Sequence, residues 1–259
     1  MAVCPLLWNP MRAPFSSLPP AEGGFMLSHQ RSAADPLLAL VRFDLDAFDD
    51  SLSERWQLPL PPHLRQAVKK RRAEYLASRW LARETLQQLG VDNFILHNHS
   101  DRSPRWPTGV HASLSHTDGA VALAVTRSRL CVGVDIETLM RAEVAEETAE
   151  LLMSAEEQAR LRALPLPFPL AATLLFSLKE SLYKALWPQL HQPMDFHQAA
   201  LVAIDLPAQM ASLSLTHPFS EAFRVGTRLE ARFQFCDERL LTLLTHPLPD
   251  HKKPAQQRG

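Results

Sequence analysis

Two short stretches of this 259-residue chain hold residue types whose spacing suits chemistry. Gly133-Val134-Asp135-Ile136-Glu137 sets two carboxylates two residues apart in an apolar run. Phe176-Ser177-Leu178-Lys179-Glu180-Ser181-Leu182-Tyr183-Lys184 sets one carboxylate and two lysines on consecutive turns of a predicted helix. In a strand, residues i and i+2 share a face, so Asp135 and Glu137 stand side by side with Ile136 behind them. Paired carboxylates repel unless a proton or a cation joins them. Magnesium takes oxygen ligands and is usually held by one or two carboxylates together with substrate phosphates. Asp135, Glu137 and Glu180, with lysines beside them, therefore read as a magnesium site for a diphosphate. Taken singly, each half has a plainer reading. Asp-x-Glu at a strand end describes two solvated acids, and Glu180 with Lys184 describes an i,i+4 surface pair worth roughly 0.2–0.5 kcal/mol.

Further elements must position these residues. Leu38 to Leu45 predicts a first strand. From His63 to Leu89 the pattern is helical and closes at Gly90. Val68, Tyr75, Leu76, Trp80, Leu81 and Leu86 form its apolar face, and Arg65, Lys69, Lys70, Arg71, Arg72, Arg79 and Arg83 its basic one. Phe94 to Leu96 is a short strand candidate. Asp101 to Gly109 is a turn-rich loop. Ala112 to Thr117, Ala120 to Thr126 and Leu130 to Ile136 predict an antiparallel meander with a turn at Asp118-Gly119. Ser154-Ala155-Glu156-Glu157 is a capping box opening a helix. Ala171 to Leu186 is a long amphipathic helix stopped near Trp187-Pro188. Ala199 to Ile204, Leu213 to Leu215, Ala231 to Phe235 and Leu240 to Thr245 predict strands.

The organisation expected is a Pro-rich N-terminal arm at 1–36, an N-terminal subdomain at 37–128, a C-terminal subdomain at 129–246 and a tail at 247–259. Pro5, Pro10, Pro14, Pro19, Pro20 and Pro36 predict loose coil for the arm, and Met26 is a candidate start. Apolar residues make up 46% and charged residues 21%, as in globular proteins. A net charge of -1 gives no global field for nucleic acid. No apolar run is long enough for a transmembrane helix. Three widely spaced cysteines with no CxxC pair predict a reduced, cytoplasmic setting.

The order of the two stretches, about forty residues apart, resembles the paired signature of the 4′-phosphopantetheinyl transferase superfamily: a G-[IV]-D-[IV]-E strand and a [WF]-[ST]-x-K-E-[AS]-x-x-K helix. Ser113-Leu114-Ser115-His116-Thr117 is similar to the family's S-x-S-H-S element, with Thr117 replacing the last serine. The Arg102 to Gly109 loop and Ala73-Glu74-Tyr75-Leu76-Ala77-Ser78-Arg79 are similar to the siderophore branch, the enterobactin-synthetase type. The resemblance spans about residues 63–205. The last fifty or so residues carry no motif.

The resemblance implies an α+β fold of two pseudo-symmetric subdomains, each a small antiparallel sheet packed on a long helix, with the active site at their interface. It implies transfer of the phosphopantetheine of coenzyme A to a serine of an apo aryl, peptidyl or acyl carrier protein by a monomer. Asp135, Glu137 and Glu180 would hold Mg2+. Glu180, or a water on the metal, would take the serine proton, and Lys184 would contact the transferred phosphate. Ser115, His116 and Arg83 would bind the coenzyme A 3′-phosphate, with Lys70 and Arg79 as further contacts and Lys179 on the diphosphate. Arg102 or Arg105 would add a basic residue beside Pro104. Helical basic residues, or apolar ones near Leu151 and Met153, would help dock the carrier. Competing expectations are a magnesium-dependent nucleotide diphosphate hydrolase and a non-catalytic binder of coenzyme A or carrier protein.

Overall fold

Strand alternation and helical periodicity produce two sheets, each laid on one long helix. The computed structural model describes residues 24–249 and the backbone of 16–18. In chain order the elements are β1 (Ser16–Leu18), β2 (Met26–Arg31), β3 (Leu37–Phe43), α1 (Ser51–Arg55), α2 (Lys69–Gln87), β4 (His97–Asn98), β5 (Pro104–Arg105), β6 (His111–Thr117), β7 (Ala120–Thr126) and β8 (Leu130–Thr138). Then follow α3 (Ala142–Leu152), α4 (Ala155–Arg162), α5 (Phe168–Leu190), β9 (Ala199–Asp205), β10 (Met210–Leu215), β11 (Arg228–Cys236) and β12 (Arg239–Pro247).

One five-stranded sheet runs β1-β2-β3-β7-β6 and the other β8-β12-β11-β10-β9, antiparallel throughout. One face of the first sheet packs on α2 through Ala39, Val41, Val121, Leu123 and Val125. The second sheet packs on α5 through residues that include Leu213, Leu229, Ala231 and Leu240. The remaining faces meet each other: Leu38, Ala120, Ala122 and Ala124 against Val132, Val134, Ile136, Leu241 and Leu243. The α+β architecture of two sheet-on-helix units is thus the expected one.

Several local expectations are corrected. Part of the N-terminal arm is not coil. Met26–Arg31 is proline-free, buries Met26 and His29, and pairs with β3. Ser16–Leu18 also pairs with β2, residues 24–25 and 33–36 are bends, and the rest of the arm and the tail from 250 lie outside the described residues. The meander has two strands rather than three. β8 leaves β7 and pairs with β12, because its alternate apolar residues fill the space between the sheets. α2 begins at Lys69, after a 3₁₀ turn at Pro62–Leu64, and Val68 is exposed at its N-cap. The segment 94–96 is not a strand; the pairing falls at His97–Asn98, and Leu96 is buried. α5 runs past both expected ends. Pro167 and Pro169 sit at its N-cap and first turn, where a missing N–H leaves no helical bond unmade. Pro188 lies in its last turns, and left-handed His191 closes it.

Gly133 decides how closely α5 lies on β8. A Cβ there would fall inside the Ser181 carbonyl oxygen and 2.8 Å from the Ala185 backbone nitrogen. Both obstacles are helix backbone and cannot rotate away, so Gly133→Ala is expected to lower the unfolding free energy by about 3 kcal/mol or more. Urea unfolding measures this; an unchanged midpoint would refute the close approach.

Candidate active site

β8 and α5 place the acids by geometry alone. Gly133, Asp135 and Glu137 alternate onto the face of β8 that meets α5. Gly133 admits the helix, which brings Ser177 and Lys184 against Asp135. Asp135 is 1% exposed. Its Oδ1 accepts from Lys184 Nζ at 2.6 Å and from Ser115 Oγ at 2.8 Å, and its Oδ2 accepts from Ser177 Oγ at 2.8 Å. Lys184 also donates to Ser115 Oγ at 2.9 Å. Edge strands of the two sheets thus meet through hydroxyls. Val134 N–H donates to Ser113 Oγ at 3.0 Å, and Thr117 and Thr138 hydroxyls lie 3.1 Å apart.

Glu137 and Glu180 complete an electrostatically linked trio. Burial first, then the Asp135 and Glu180 charges, push the Glu137 carboxyl up to about 7, against the pull of Lys184. Burial, with Asp135, also raises Glu180, again against Lys184. Three carboxylates in reach of one another fit a hard divalent cation by donor type, and a cation there would relieve the repulsion that adds to burial in raising Glu137 and Glu180. As placed, no three acid, histidine or cysteine side chains among the described residues are gathered into a ligand set. Both oxygens of Asp135 are turned to Lys184 and the serines.

The 3′-phosphate candidates divide between two faces. Ser115 and His116 are consecutive in β6, so their side chains point to opposite sides. Ser115 joins Asp135 and Lys184, whereas His116 faces α2. Its Nε2 lies 3.2 Å from the Arg71 guanidinium and its Nδ1 3.6 Å from Glu74. Arg71 can only donate, so Nε2 accepts and the ring proton is assigned to Nδ1. Burial, then Arg71, Lys184, Arg79 and Lys70, lower His116 to about 4, leaving it neutral near pH 7.

Other expected ligands lie elsewhere. Arg79 is buried; it donates to the Leu96 carbonyl, Ser78 and Asn98 and stacks on Tyr75, which ties the 97–105 hairpin to α2. Arg83 donates to the Trp56 carbonyl and pairs with Glu84, so it is not brought to His116. Lys70 pairs with Asp118 at the β6–β7 turn, beside the His116 cluster. Arg102 and Arg105 are both exposed. Lys179 is 3% exposed on another side of α5, where its Nζ donates to the Leu152 carbonyl at 2.9 Å and to Glu157 at 3.1 Å. Glu157 also accepts from Leu201 N–H at 2.9 Å and closes the Ser154 capping box. Lys179 therefore joins α4, α5 and β9 rather than facing the acids. Of the two docking candidates, Leu151 is exposed and Met153 buried.

Sequence reasoning missed Arg71 and Glu74, which look like part of a solvated basic face and an ordinary helical acid. It also missed the role of Ser177, although that serine lies inside the helix motif.

Below its unfolded value a raised carboxyl is protonated in both states. Above its folded value it is ionised in both, and the charged form is destabilised in the fold. Glu137 therefore takes stability from the metal-free protein as pH rises from 4.5 to about 7. The urea midpoint of Glu137→Gln, measured with chelator against wild type, should gain progressively over that window. A difference constant with pH would refute the raised carboxyl.

Two family models match in chain order: the 4′-phosphopantetheinyl transferase N-terminal domain over residues 60–126 and the 4′-phosphopantetheinyl transferase superfamily over 131–236. Enterobactin synthase component D of Salmonella typhimurium is 36% identical over 223 residues, covering 84% of this chain and 91% of the relative. The Salmonella typhi protein of that name is 37% identical over 220 residues, with the same coverage. The 4′-phosphopantetheinyl transferase Svp of Streptomyces mobaraensis is 30% identical over 177 residues, 66% of this chain and 72% of the relative.

Proposed function

The chain belongs to the 4′-phosphopantetheinyl transferase superfamily, and from that premise we propose how its residues perform the transfer. It transfers the 4′-phosphopantetheine of coenzyme A to a serine of an apo carrier protein and releases adenosine 3′,5′-bisphosphate. Its similarity to enterobactin synthase component D proteins directs this to carrier domains of siderophore synthesis. The observation that carries the assignment to this site is the coupled trio Asp135, Glu137 and Glu180 around Lys184.

In this reading Asp135, Glu137 and Glu180 hold Mg2+, which when bound neutralises charge on the diphosphate. The carrier serine oxygen attacks the phosphorus that bears pantetheine. The bond from that phosphorus to the bridging oxygen breaks, and the bisphosphate leaves with that oxygen. Glu180, whose carboxyl burial raises above its ordinary value, takes the serine proton. Lys184 uses two of its three donors on Asp135 and Ser115, so the third serves the transferred phosphate. The 3′-phosphate is assigned to His116 with Arg71 and Lys70, which stand together at the N-terminal end of α2. Arg79 acts on that cluster through its charge alone.

The chain divides at 128/129 into a 3′-phosphate subdomain and a magnesium subdomain, with Met26–Arg31 added to the first. It is assigned to the cytoplasm as a monomer. Cys131 and Cys236 are free thiols pushed up to about 11 by burial, a state suited to a reducing compartment. Among the described residues no helix is long and apolar enough to cross a membrane. Exposed Leu151 is the apolar contact offered to the carrier.

Protein, coenzyme A and Mg2+ mixed with an apo aryl or peptidyl carrier domain should raise the carrier's mass by one phosphopantetheine. Asp135→Asn, which keeps the shape and one acceptor oxygen, should reduce the rate at least about a thousandfold, with circular dichroism checking that the variant is folded. Undiminished transfer by that variant would refute the site assignment, and nucleotide release without carrier would refute the transfer reading.

A further inference from the structure

β12 carries no recognisable motif, yet it brings one hydroxyl directly beside the Asp135 carboxylate. The run Leu240-Leu241-Thr242-Leu243-Leu244 is apolar except at Thr242. Thr242 pairs with Asp135 across the β8–β12 ladder, so the two side chains share the face that meets α5. Thr242, Ser177 and Ser181 are each 0% exposed. The three buried hydroxyls bond to one another, and Thr242 and Ser181 also reach backbone carbonyls.

Their proton directions follow from the acceptor at the end. The Ser177 hydroxyl donates to Asp135 Oδ2 at 2.8 Å. Ser177 Oγ is then free to accept from Thr242 Oγ1 at 2.9 Å; the same Thr242 proton is shared with the Ser177 carbonyl oxygen at 2.9 Å. Thr242 Oγ1 in turn accepts from Ser181 Oγ at 2.6 Å. The result is a one-way chain from Ser181 through Thr242 and Ser177 to Asp135. A helical serine hydroxyl otherwise tends to back-bond to the carbonyl four residues earlier, here that of Thr173. Thr242 gives the Ser177 oxygen a donor and so keeps its proton on Asp135.

The geometry points to Thr242 as a positioning residue that acts through Ser177 to fix Oδ2 of the Asp135 carboxylate, leaving the acid a defined orientation from which to meet a cation. It rests on the assignment of Asp135 as a metal ligand.

The test is Mn2+ binding to the full chain with coenzyme A present, read by electron paramagnetic resonance of free Mn2+. Thr242→Val keeps the shape and removes the hydroxyl, and it should raise the Mn2+ Kd roughly tenfold, about the effect of one charge-assisted hydrogen bond. Thr242→Ser should restore it, and the KM for the carrier should not change in either variant. Asp135→Asn separates the two claims. If Asp135→Asn weakens Mn2+ and Thr242→Val does not, the positioning role is overturned. If neither weakens it, the metal assignment falls and the inference with it. Should Thr242→Val not fold, Ser181→Ala removes the donor to Thr242 Oγ1 together with a longer bond to the Thr242 carbonyl at 3.3 Å. A weaker Mn2+ affinity there supports the chain, and an unchanged one overturns it.

Discussion

A carboxylate removed from water must be met by donors, and in this protein that requirement falls on Asp135. Its two oxygens take one ammonium and two hydroxyls, drawn from β6 and α5. Unpaired, such a buried charge would be strongly destabilising, so its partners are fixed by the same energetics that fold the chain. Ser115 comes from one sheet, while Ser177 and Lys184 come from the helix on the other. The acid therefore joins the two halves as well as serving as a proposed ligand.

Other features follow from bringing those donors close. Gly133 removes the one side chain that would hold α5 away from β8. Alternation then puts Asp135 and Glu137 on the helix-facing side and Val132, Val134 and Ile136 between the sheets. The 3′-phosphate side follows the same logic in β6. Ser115 turns toward the acid, and His116, one residue on, turns toward α2 and Arg71. In the proposed function a single strand would serve both ends of an extended ligand. Remote from this, the buried Lys179–Glu157 pair anchors the far side of α5 to α4 and β9, so the helix carrying Glu180 and Lys184 is held from both sides.

The shared face of Asp135 and Glu137, the capping box at Ser154 and most strands were legible because they depend on local spacing. What was not legible depends on partners distant in sequence. Lys179 sits within a recognisable motif, but its burial against Glu157 comes from the packing of α4. Arg83 has the residue type for a phosphate and is taken by the Trp56 carbonyl, far away in the chain. β8 continues the alternation of a meander, yet its edge choice was decided by the apolar residues of β12. Thr242 left one trace, a lone hydroxyl in a leucine run, whose meaning depended on the ladder register.

The central claim is that one split site spans both halves, with the diphosphate at Asp135, Glu137 and Glu180 and the 3′-phosphate at His116. A crystal structure with coenzyme A and Mn2+, read by anomalous scattering from the manganese, tests it most directly. The account predicts a manganese peak among those three carboxylates, diphosphate oxygens on the same ion, and the 3′-phosphate beside His116 and Arg71. A manganese peak away from the three acids, or a diphosphate seated on the Lys179 side of α5, would contradict it.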